Sequence, residues 1–114
     1  MANSVAIDDL DNAVGGYGAV VDLASQLGIT VGGSVTCHGG VVGESGITAG
    51  AVALQLATVV AGVPTWQAAG TPVSVTAGGG ATIPAPSAVA GAVLARVVVT
   101  TPIVGGKATA IITV

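Results

Sequence analysis

The stretch LARVVVTTPIVGGKATAIITV, residues 94–114, decides the fold. Two runs rich in β-branched residues flank Gly105-Gly106. Such runs fit a pleated strand better than a helix. A Gly-Gly pair between them reads as a two-residue hairpin turn, because a type I′ turn needs positive φ at both central residues. That turn would set Val104 opposite Lys107, Val99 opposite Ile112 and Val97 opposite Val114. Side chains alternate along a strand, so one face would carry Ala95, Val97, Val99, Thr101, Ala108, Ala110, Ile112 and Val114. The other would carry Arg96, Val98, Thr100, Lys107, Thr109, Ile111 and Thr113. An apolar face backed by threonines and two cations suits a half-buried antiparallel pair. The expectation is that Val97, Val99, Ile112 and Val114 face the core, and that Arg96 and Lys107 mark a wet or acid-facing surface.

The rest of the chain extends that reading. It has 114 residues, enough for one core. Hydrophobic residues make up 52% and charged ones 6%, against about 25% charged in an average chain. With no Phe, one Trp and one Tyr, the apolar mass is Ala and Val. Nineteen glycines oppose long helices. Turn and loop signals recur at 38–40, 43–46, 62–64, 70–72, 78–80 and 84–86, Gly28 reads as the C-cap of a single helical turn, and Gly32-Gly33 as a bulge or bend within a strand. They predict an all-β fold, an antiparallel β-sandwich or jelly roll of seven to eight short strands. Residues 1–16, with Asp8, Asp9 and Asp11, read as an N-terminal arm or one helical turn, and residues 17–114 as the sandwich domain.

Composition excludes several classes of function. Arg96 and Lys107 are the only cations and the net charge is −3, so phosphate neutralisation cannot hold a nucleic acid. Residues 47–63 (ITAGAVALQLATVVAGV) are apolar enough to raise a membrane span, but they lack a basic flank and an aromatic belt. Alternation fits them better: Val52, Leu54, Leu56 and Val60 fall on one face, Ala51, Ala53, Gln55 and Ala57 on the other. The start, MANSVAIDDLDNAV, lacks the basic and apolar regions of a signal peptide, which reads as a cytosolic product.

Candidate sites are few. Cys37 and His38 form the one pair with nucleophilic potential, yet neighbours on a strand point to opposite faces. A buried thiol beside an exposed imidazole is the expectation. One Cys and one His cannot make a structural zinc set, and Asp8, Asp9 and Asp11 lack the spacing of an EF-hand loop. Gly105-Gly106-Lys107 lacks the rest of a phosphate loop. No catalytic residue, cofactor or metal is expected. Trp66 could be a core residue, an interface anchor or a sugar platform. So little charge on a small chain points to a covered surface and a homo-oligomer, the alternative being a secreted, Thr-rich sandwich that stays monomeric. The expected interface residues are Trp66, Arg96, Lys107, Asp8, Asp9 and Asp11.

An acidic arm (residues 4–12), a Gly/Ala/Val/Thr-rich multi-strand body and a chain ending on a strand (residues 108–114) resemble the minor capsid or decoration proteins of tailed bacteriophages. The resemblance covers the general plan and no motif. It implies a structural virion protein, made in the host cytoplasm and sitting on the outer capsid surface. It also implies a trimer that clamps the major capsid protein lattice by surface burial and by strand addition from the arm or the terminal strand. A carbohydrate- or ligand-binding sandwich with Trp66 as platform is the alternative.

Overall fold

The computed structural model describes residues 4–8, 10–27, 34–35, 37–68, 71–83 and 89–113. Asp9, Gly28, the Gly32-Gly33 pair, Gly70, residues 84–86 and Val114 lie outside them. The strands are β1 (Ser4–Ile7), β2 (Val21–Asp22), β3 (Ser34–Val35), β4 (His38–Gly43), β5 (Ala49–Val60) and β6 (Val63–Ala68). They continue with β7 (Val73–Ser74), β8 (Gly80–Ile83), β9 (Val89–Ala90), β10 (Leu94–Val104) and β11 (Ala108–Thr113). Four of these are two-residue strands, so seven have four residues or more. One short helix, α1 (Leu23–Leu27), follows β2. Asp22 caps it: its Oδ1 accepts the amides of Ala24 and Ser25 at 3.0 and 3.1 Å.

The fold is an antiparallel β-sandwich. One sheet runs β1-β11-β4-β8, and the other runs β2-β10-β5-β6 with β7 also on β5. The strands β3 and β9 form a separate pair. Leu54, Leu56, Val97, Val99, Ile83 and Ile112 are fully buried or nearly so. Burying each such side chain stabilises the fold by about 1.5–3 kcal/mol. Small residues alternate with these large ones. Gly39 stands in register between Ile112 and Ile83, and a Cβ there would lie 2.8 Å from the Ile83 side chain. That packing need, rather than a turn, explains the glycine: His38-Gly39-Gly40 begins β4 instead of reversing the chain.

The expected pairing of residues 94–114 is wrong, although Ala95, Val97, Val99, Ala108, Ala110 and Ile112 are buried as expected; Val98, expected on the outward face, is buried as well. The strands β10 and β11 lie in different sheets. Val97, Val99, Ala108, Ala110 and Ile112 are all buried, but they meet across the core and are not side by side. The reason is that both edges of β10 are taken. On one side it pairs with β5 from Leu94↔Ala57 to Val104↔Ala49. On the other side lies the N-terminal part of the chain. The Ile103 amide donates to Asn12 O, the Gly15 amide to Val99 O and the Val99 amide to Gly16 O, each at 2.9 Å. Tyr17 bridges Val98, and β2 pairs with Leu94 and Ala95. Thr101, expected in the core, is exposed where the β10–β5 register slips after Val99.

The residues expected as an arm are therefore built into the domain over their described part. The strand β1 pairs with β11 from Ser4↔Thr113 to Ile7↔Ala110, and Ile7 and Leu10 are buried. Because β11 lies between β1 and β4, it has no free edge. Strand addition by the terminal strand is thus unavailable.

The corner at Gly105-Gly106 carries the chain from one sheet to the other. Glu44 holds it: its Oε1 accepts the Lys107 amide at 2.6 Å, and its own amide donates to Lys107 O at 3.1 Å. Its carbonyl also takes the Gly78 and Ile47 amides at 3.1 and 3.2 Å. Asn12 Nδ2 donates to Gly106 O at 3.0 Å. Gly105 has φ +94°, and a Cβ on it would overlap the Gly46 carbonyl.

Among the described residues, a two-residue hairpin joins β5 to β6 through Ala61 (φ 51°) and Gly62 (φ 79°), with Val60 opposite Val63. This hairpin runs past the core. Val60, on the core-facing parity of β5, is 71% exposed, and Val63 is 64% exposed. Among the described residues β6 is an edge strand. The pair flanking a two-residue loop exchanges both its hydrogen bonds, so position 64 aims its nitrogen at the free edge. Pro64 has no N–H to offer there.

Candidate functional site

The alternation that buries Val97 and Val99 turns Arg96 outward on β10. Its cross-strand partner on β5 is Gln55, whose Oε1 accepts the Arg96 Nε–H at 2.8 Å. Tyr17 stands level with Val98, two residues along β10 in one direction. Trp66 stands opposite Ala57, which is itself level with Leu94, two residues in the other direction. The two rings thus approach the guanidinium from opposite sides. Arg96 Cζ lies 4.3 Å from the Tyr17 ring centroid and 4.0 Å from that of Trp66. These are the chain's only Tyr and Trp. Ala53 and Ala57 share the outward face of β5, and their small side chains leave room for the longer ones. Each ring contact is worth about 0.5–1 kcal/mol when exposed and about 2 kcal/mol when dry.

The stack ties three segments of the chain together: the one bearing Tyr17, the central pair β10–β5, and the edge strand β6. A guanidinium with both flat faces stacked and Nε engaged keeps only its two terminal amino groups for other partners. Among the described residues these have none.

Of the expected interface residues, Trp66 and Arg96 come together, Lys107, Asp8 and Asp11 do not join them, and Asp9 lies outside the described residues. Arg96 and Lys107 do not share a face, since β10 and β11 belong to different sheets; Lys107 is exposed at the corner before β11. Asp8 is exposed just after β1, and Asp11 is exposed with its Oδ1 accepting the Ala13 amide at 3.1 Å. Tyr17 and Gln55 complete the stack and were not singled out as partners of Arg96. Gln55 carried a readable signal, as the longest polar side chain on a strand of Ala, Val and Leu. Tyr17 carried none, because its placement depends on long-range pairing.

Cys37 is fully buried and His38 exposed. Burial pushes the Cys37 thiol up to about 11, away from the thiolate that a nucleophile needs. Among the described residues no three His, Cys, Asp or Glu side chains gather as a metal set, and there is no concave pocket. No helix of the described residues is long and apolar enough to cross a membrane.

No protein-family model matches the chain, and no curated protein matches it. Among solved structures it is similar to a protein of Bacillus endospore appendages, described as a novel family of disulfide-linked pili. The identity is 14%, 99% of this chain and 85% of that chain are covered, and the TM-score is 0.40.

Proposed function

We propose that this protein is a non-catalytic structural subunit that works by self-association and by binding a protein lattice. The observation that carries this reading is the overhanging β5–β6 hairpin, which leaves Val60 and Val63 exposed side by side beyond the core, with Val59 exposed on the opposite face. Apolar protrusions of this kind suit a partner surface. The low charge of the chain supports the same reading, since few charges must be desolvated when its faces are covered. The setting, the outer surface of a virion with a trimer as the working unit, rests on the part of the resemblance to phage decoration proteins that the fold leaves standing, the Gly/Ala/Val/Thr-rich multi-strand body, and no longer on a free arm.

The test is mass in solution. The wild-type protein is expected as an oligomer. Val60→Asp and Val63→Asp, both at exposed positions, are expected to shift it toward monomer while leaving the fold intact by circular dichroism. A monomer throughout the micromolar range would overturn the reading. The setting is checked by asking whether the protein sediments with virus particles from cells that produce them. Its absence from particles would remove the capsid and leave the self-association.

A further inference from the structure

We propose that the outer edge of the Arg96 guanidinium receives a carboxylate from a second copy of this chain, that of Asp8; this rests on the self-association proposed above. The stack leaves Arg96 one way to bind. Its faces are covered by Tyr17 and Trp66, and its Nε–H is spent on Gln55. The remaining terminal N–H groups present donors in one plane. That geometry matches a carboxylate bonded through both of its oxygens. The rings and Gln55 already hold the side chain in place, so little further ordering is lost on binding. They also thin the water around it, which strengthens the attraction.

Charge complementarity selects the occupant. The chain has five acids and two cations, so a second copy brings more acid than its own cations can meet. Most of the described acids are engaged. Asp22 caps α1, Glu44 holds the corner at Lys107, and Asp11 accepts the Ala13 amide. Asp8 is exposed and has no partner among the described residues. It cannot satisfy the Arg96 of its own chain. It leaves the end of β1 at the edge of one sheet, whereas Arg96 lies on the outward face of the other. The contact must therefore join two copies. Repeated from copy to copy, it closes a ring if the rotation allows, as a trimer requires.

The experiment uses the whole chain, with sedimentation for mass and Trp66 emission as a probe of the stack. Asp8→Asn changes one exposed atom and leaves the fold alone. It is expected to weaken association about tenfold or more and to remove much of its salt sensitivity. Arg96→Lys keeps the charge but loses the planar fork, and is expected to weaken association similarly. The double variant should be no weaker than either single one. Mixing the two single variants leaves one intact Asp8–Arg96 contact per pair of copies, so association returns in part. If the wild type associates and Asp8→Asn alters neither its mass nor its Trp66 emission, the inference is overturned and self-association stands. If the wild type is a monomer, both readings fall.

Discussion

At Ala61-Gly62 the chain reverses within one sheet; at Gly105-Gly106 it leaves one sheet and enters the other. The first turn has positive φ at both central residues, although one of them is alanine. The second has two glycines, but only Gly105 takes a positive φ. A glycine pair therefore permits a tight hairpin without requiring one. The outcome at each turn is set by what else competes for the strand that follows or precedes it. The strand β5 can fold back on β6 because β10 claims only its other edge, and β7 takes only Ala51 and Val52 of this one. The strand β10 cannot fold back on β11 because β5 and residues 12–22 occupy both of its edges.

Alanine separates the two turns most strongly. Gly105→Ala places a Cβ into the Gly46 carbonyl at a left-handed φ, and is expected to cost about 3 kcal/mol or more in chemical denaturation. Gly62→Ala meets nothing within 4 Å and pays only the backbone term, about 1 kcal/mol. Equal costs at the two sites would mean that the corner is not the close backbone approach described. Next in size is Glu44→Ala, which removes the acceptor for the Lys107 amide and is expected to cost about 1 kcal/mol. A null result would shift the burden of the corner to Asn12, which donates to Gly106 O, and to Thr48, whose amide donates to Val104 O at 2.8 Å. The smallest effect sharpens the other turn. Ala61→Asn suits a left-handed first position better than alanine and is expected to stabilise the protein by up to about 1 kcal/mol, read as a raised melting temperature.

The fold class and the inward faces of β5, β10 and β11 were legible in the sequence because side-chain alternation is a local property. Val52, Leu54, Leu56, Val97, Val99 and Ile112 are buried as their spacing implies. Partner choice was not legible. The same alternation serves a strand beside its neighbour in sequence or across the core from it, and long-range competition decides between them. The N-terminal residues show this most clearly. Their three aspartates suggest a solvated arm, yet Ile7, Leu10 and the backbone at Asn12, Gly15 and Gly16 fix their described part to the domain. The candidate site was half legible. Arg96 and Trp66 stood out by rarity and outward parity, but nothing local brings Tyr17 to the same guanidinium.

Pro64 has a consequence for solubility. A chain this rich in Val and Thr, with little charge to repel its copies, risks merging sheet edges into open-ended fibrous stacks. At the exposed edge of β6, the missing hydrogen on one ring nitrogen interrupts the ladder such a stack would need. The overhang can then offer its side chains to a partner while its backbone resists templating another strand, which separates orderly assembly from runaway aggregation.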